Sequence, residues 1–248
     1  MPALRDILAA YSNHQATGEQ VWRALTEHAG WHVPAAFAIK YLRTTTSQGA
    51  TVFADEVPTS DSALILFTDP VAAGHADGAP IGIFMHAFSG VQVFQALVDS
   101  YGCVRVNPHS PKSEGWYIGQ DAFPLARLWA QVVNLEQAMM ASAAEDTVPH
   151  AEIAAHPGFL VLINSERLPI TLNLAQGAFA VAFTSPDRYE AFVAKQPAEN
   201  HGNLKSATLD GATLCKQLQN FDVAGVVIYY GDQKGLVIRK EEFASVIP

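Results

Sequence analysis

Cysteine, charge and long apolar runs are all scarce in this 248-residue chain. Its two cysteines, Cys103 and Cys215, are too few and too far apart for a disulfide framework or a zinc site. The first lies in an apolar strand-like run and the second in a helical stretch, and each reads as a small buried hydrophobe. Charged residues make up 16% of the chain, against roughly 25% in an average globular protein. The balance is 15 Lys and Arg against 24 Asp and Glu, a net charge of −9. Divided at Glu145, both halves are net acidic, and the densest cationic stretch is the pair Arg239-Lys240. A nucleic-acid partner needs a positive footprint to displace counterions, so the sequence predicts none. Apolar runs such as Ala178–Phe183 fall far short of the ~18 residues that span a membrane. Residues 1–15 hold Arg5 but no apolar stretch followed by small residues, so the expectation is a cytoplasmic protein without membrane insertion.

Catalytic signatures are also missing. No Gly-x-Gly-x-x-Gly follows a strand, and Gly74, Gly78 and Gly82 fall four apart in a loop. The stretch from Gly231 to Gly235 reads as a hairpin turn and not a phosphate loop. Ala87-Phe88-Ser89-Gly90-Val91 lacks the glycines of a nucleophile elbow, and Ser89 reads as a helix N-cap. Of the nine histidines, none forms His-Glu-x-x-His. On a helix His150 and His156 would point about 240° apart, and Glu152 with His156 supplies only two ligands. His28 and His32 are separated by Gly30, where a helix is expected to stop. The sequence therefore predicts no metal and no cofactor.

What is present, at 49% hydrophobic residues and a mean hydropathy of +0.11, is enough apolar side chain for a real core. A phrase also occurs twice. Leu64–Pro70 and Ala180–Pro186 are each an apolar strand ending in Phe-Thr-x-Pro, a proline-punctuated end with a capping residue before the next helix. Downstream, Gly90 and Gly211 each open an amphipathic segment, followed by β-rich runs at Cys103–Val106 and Val226–Tyr229. Second strands follow at Gly115–Ile118 and Gly235–Ile238, then an acidic residue ahead of Phe123 or Phe243. Upstream, Gly30-Trp31-His32-Val33 matches Gly158-Phe159-Leu160-Val161. Six landmarks in one order predict an α+β chain of two tandem copies, each a mixed β-sheet domain with helices packed on it. The expected domains are 1–145, with an opening helix over Leu4–Ser12, a second around Val21–Leu25 and a closing helix from Ala122 to Ala141, and 146–248. Past Ala141 the composition turns linker-like as far as Pro149.

These landmarks resemble the SseB (enhanced serine sensitivity) family, specifically its N-terminal domain. Phe183-Thr184-Ser185-Pro186 and Gly225-Val226-Val227-Ile228 fit its phrases in the second half, and Phe67-Thr68-Asp69-Pro70 and Val104–Pro108 in the first. The resemblance implies a mixed α/β domain, an accessory or regulatory role, and no catalytic residues to carry over.

The candidate binding patch is the loop from Asn107 to Gly115, carrying Asn107, His109 and Lys112, with Trp116 and Tyr117 on the strand after it. Polar loops on rigid scaffolds often carry binding. The competing reading is a solvated hairpin whose prolines limit edge pairing. His75 and Asp77 form a second candidate pair. The expectation is a non-catalytic protein that binds another protein, as an accessory, regulatory or immunity-type factor. The alternative is a small-molecule enzyme or sensor sited between the copies, which requires several of His32, Asp69, His86, Asn107 and His109 to converge. A third, resting on the family name, is a component of a secretion or envelope assembly.

Overall fold

The computed structural model describes residues 4–34, 63–69, 85–95, 102–107, 115–145, 147–197, 204–231 and 234–247. It divides into two compact units, Met1–Val133 and Asn134–Pro248. The fold is α+β, with mixed sheets and packed helices.

The first unit opens with α1 (Leu4–Ser12) and α2 (Gly18–Glu27). Thr17 starts α2 by a capping box: its hydroxyl accepts from Gln20 N at 3.3 Å while Gln20 Oε1 accepts from Thr17 N at 2.9 Å. The helix stops at His28, ahead of Gly30. Strands β1 (Trp31–Pro34) and β3 (Met85–Phe88) pair antiparallel. β2 (Ala63–Leu66) runs parallel to β4 (Cys103–Val106), which pairs antiparallel with β5 (Trp116–Gly119). A bridge between His32 and Phe67, closed by two backbone hydrogen bonds of 2.9 and 3.0 Å, joins the pieces in the order β5-β4-β2-β1-β3. Helix α3 (Gly90–Gln95) begins at Ser89, whose hydroxyl accepts from Gln92 N while Gln92 Oε1 accepts from Ser89 N. Trp31, Phe94 and Phe123 are completely buried in this core. Trp31 tolerates that because its indole N–H donates to Leu25 O at 3.0 Å.

Helix α4 (Phe123–Glu145) runs past the Ala141 limit expected from the sequence. Ala141, Ala143 and Ala144 are strong helix formers, so a linker-like composition sustains another turn. The division between units falls inside this helix: Phe123, Ala126 and Ala130 belong to the first core, Leu135 and Met139 to the second. The helix is thus shared, where the sequence reading placed it wholly in 1–145.

The second unit continues with α5 (His150–Ala155), β6 (Phe159–Ile163), β7 (Thr171–Leu174), β8 (Gly177–Phe183) and α6 (Pro186–Val193). β9 (Lys205–Leu209), α7 (Gly211–Leu218), β10 (Gly225–Tyr229), β11 (Gly235–Arg239) and α8 (Phe243–Val246) complete it. Its sheet runs β11-β10-β8-β6-β9, with β7 added against β8. β8 and β10 are parallel and the other pairs antiparallel. This is the order and sense found in the first unit when β1 to β5 are set against β6, β8, β9, β10 and β11. One face of the sheet packs Ala180, Ala182, Val226 and Ile228 into the main core. The other presents Leu162, Val181 and Phe183 to a smaller cluster beneath α6. Among the described residues, no helix is long and apolar enough to cross a membrane.

Candidate functional site

The two Phe-Thr phrases end β2 and β8 and bury their threonines: Thr68 is 8% exposed and Thr184 1%. Each threonine is the hub of a polar network, and one strand of both networks is the same. His28 Nε2 lies 3.1 Å from Thr68 O, and His156 Nε2 lies 3.1 Å from Thr184 O. A ring nitrogen facing a carbonyl must carry the proton, so each imidazole donates. Each ring also rests on the aromatic residue three positions on, His28 on Trp31 at 4.7 Å and His156 on Phe159 at 4.3 Å. The backbone carbonyl of His28 accepts from Gly90 N at 2.7 Å, and that of His156 from Gly211 N at 3.0 Å. One histidine thus ties a helix end to a strand end and to the start of a later helix, in both units.

The remaining contacts differ. In the first unit Thr68 N donates to Asn107 Oδ1 at 2.9 Å, and Asn107 Nδ2 donates to the Thr68 hydroxyl at 3.1 Å. That hydroxyl's own proton points to Asp69 Oδ2 at 3.1 Å, and Arg5 reaches Asp69 at 2.8 Å. Asn107 makes these bonds from a left-handed backbone, φ +44°, a conformation asparagine tolerates better than most residues. In the second unit Thr184 N donates instead to the Tyr229 carbonyl at 3.2 Å, and its hydroxyl donates to Glu136 Oε1 at 2.6 Å. Arg188 grips the same carboxylate through Nε at 3.3 Å and Nη2 at 3.1 Å. Glu136, His156, Thr184 and Ser185 are all buried.

Burial pushes the His156 imidazole down to about 4, opposed by the Thr184 carbonyl and the Glu136 charge, and lowers His28 in the same sense. The folded value lies below the ordinary 6.5, so the unfolded chain takes up this proton first. Stability is full above pH 6.5 and drains away as pH falls toward 4, by about 2 kcal/mol at a pH midway through that decline. Urea titrations of the native chain and His156→Gln at pH 7 and near pH 4.5 test this. The native chain should lose more stability on acidification than the variant, and equal losses contradict it.

The predicted binding residues separate. Asn107 is fully buried, with its amide spent on Thr68. Trp116 is half-buried against the first core and meets Tyr11 edge-on at 5.1 Å. Tyr117, the next residue on β5, faces the opposite side of the sheet and is 64% exposed. His109 and Lys112, with His75 and Asp77, lie outside the described residues. Of the convergent set, Asp69 and Asn107 do meet, at Thr68, in a closed network. His32 and His86 sit on β1 and β3, opposite Ala87 and Val33.

Sequence reasoning missed Glu136 and Arg188, whose pairing spans 52 positions and leaves no spacing signal. The histidines did leave one: His28-Ala29-Gly30-Trp31 and His156-Pro157-Gly158-Phe159 extend the matched strand starts two residues upstream. At 1% exposure the Thr184 hydroxyl is closed off from solvent, and its bonds tie β8 to α4. Burial likewise raises the Cys215 thiol to about 12, far from a thiolate at neutral pH. Among the described residues, no three His, Cys, Asp or Glu side chains are grouped to hold a metal ion.

No family model and no curated protein matches the chain. A solved structure titled Anabaena Tic22 (protein transport) aligns over 83% of this chain and 88% of that one, at 8% identity. The TM-score is 0.21.

Proposed function

We propose that the chain is two copies of one SseB-like module and acts as a non-catalytic cytoplasmic factor that binds another protein. The single observation behind this reading is where the polar chemistry goes. The histidine ties recur at matching places and, with Glu136, Arg188, Asp69 and Asn107, spend themselves on holding strand ends to helices. What faces outward on the first unit is an aromatic side chain on an end strand, Tyr117 on β5, which pairs with β4 alone among the described strands. Tyrosine is a favoured anchor at protein interfaces, and an open strand edge offers backbone groups to an added strand. The acidic balance adds long-range attraction for a basic partner.

The test uses the full chain as bait in extract from its source cells, beside a Tyr117→Ala bait that folds equally well. The expected result is a protein retained by the native bait and depleted at least tenfold by the variant, the loss of about 1.4 kcal/mol or more that marks an anchor residue. Identical recoveries overturn the assignment of Tyr117, and an empty native eluate overturns the protein-binding reading itself.

A further inference from the structure

The second unit carries two clefts on the face of its sheet away from the main core, and nothing in the reading above uses them. Alternate residues of β8 point there, Val181 and Phe183, and α6 lies over them through Tyr189 and Phe192. An eight-residue helix covers only part of that face. On one side of Phe192 is a cavity of about 200 Å³ floored by Phe183, Phe192 and Tyr229. These rings form one cluster: Phe183 stacks on Tyr229 at 5.6 Å and 21°, and Phe192 lies 5.1 Å from Phe183 and 5.7 Å from Tyr229. On the other side is a cavity of about 250 Å³ walled by Leu162, Val181, Leu172 and Ile170. Phe192 and Gln196 line both, so the two adjoin.

Among the described residues, the charged side chains lining this double cleft are Arg188 and Lys195, both cationic and both in the aromatic half, in a chain of net charge −9. Glu136 already pairs the Arg188 guanidinium by Nε and Nη2, so Lys195 supplies the charge of that end. Lys195 stands exposed just past the end of α6. A site with an apolar trough and a cation at one end fits a ligand with an apolar body and an anionic head.

We propose that this double cleft binds a small amphipathic carboxylate, with its anionic head at Lys195 and its apolar body along Phe192 toward Val181 and Leu172. The carboxylate answers Lys195 with a charge-assisted contact, and the chain or ring replaces water over a face the fold leaves half covered. Gln196, shared by both cavities, lies where head and body join.

Octanoate is the probe, with octylamine as its cationic counterpart of equal chain length. Titration into the labelled full-length protein, followed by amide NMR, should shift Val181, Phe192 and Lys195 with octanoate and leave them unmoved by octylamine. Lys195→Glu, a change at an exposed position, should weaken octanoate at least tenfold. Leu172→Trp, which fills the apolar half, should weaken it too while Tyr117→Ala leaves it unchanged. Octanoate shifts that avoid these residues, or equal binding of both probes with no effect of Lys195→Glu, overturn the proposal. Because octanoate is added to purified protein, its failure is separate from failure of the protein-binding reading.

Discussion

Replacing Gly211 by alanine is expected to destabilise the second unit by about 3 kcal/mol, although the same change in a helix ordinarily stabilises by up to about 1 kcal/mol. Gly211 is the first residue of α7, and its N–H is bonded to His156 O. A Cβ placed there runs into the Ile153 carbonyl of α5. The obstacle is backbone, so no rotamer change relieves it and the two helices must separate. Gly90, first in α3, meets the Thr26 and Leu25 carbonyls of α2 in the same way, and Gly90→Ala should cost a similar amount. Urea midpoints of the two variants measure this. A neutral or stabilising result at either position would show that the helices are not in backbone contact there.

Glu136→Ala is the second large effect, about 3 kcal/mol. The substitution strands the Arg188 guanidinium, 19% exposed, and leaves the buried Thr184 hydroxyl to the longer contact with the Tyr229 carbonyl at 3.4 Å. Leaving one partner of a buried pair uncompensated is what makes such a change costly, more than the worth of the attraction itself. Removing the stranded partner should then recover part of the loss: Glu136→Ala with Arg188→Ala is expected to be less damaging than the sum of the singles. The ion pair of Arg5 with Asp69 is a useful contrast, because its side chains are 38% and 33% exposed. Breaking it should cost less than about 1 kcal/mol. Additive singles at Glu136 and Arg188 would contradict the pairing.

Much of the fold was legible because the buried strands are dense in β-branched and aromatic residues and end at glycine or proline. Phe67-Thr68 and Phe183-Thr184 marked the central strands, and Ser89 the start of a helix. Two strands left too little signal. β7 and β9 read Thr-Leu-Asn-Leu and Lys-Ser-Ala-Thr-Leu, short half-exposed or exposed segments with two apolar residues each. The polar networks were harder still. Spacing from other histidines tests His28 and His156 only as metal ligands, whereas their partners are carbonyls 40 and 28 residues away. The polar loop marks Asn107 as a binding residue, and its conformation instead turns its amide inward to stand where the second unit uses a backbone carbonyl. Tyr117 remains the member of the chosen set that the described structure presents to solvent.

Duplication of one module is best tested by amide hydrogen exchange on the full-length chain, read residue by residue by NMR. Buried, hydrogen-bonded strand amides exchange only through the larger openings, so two copies must share one protection pattern. The slowest amides should fall on the parallel pairs β2 with β4 and β8 with β10, and Gly90 and Gly211 should be protected alike. A second unit whose slowest amides lie on β7 and β9, or a Gly211 amide exchanging at the rate of an open chain while Gly90 is protected, would contradict a common module.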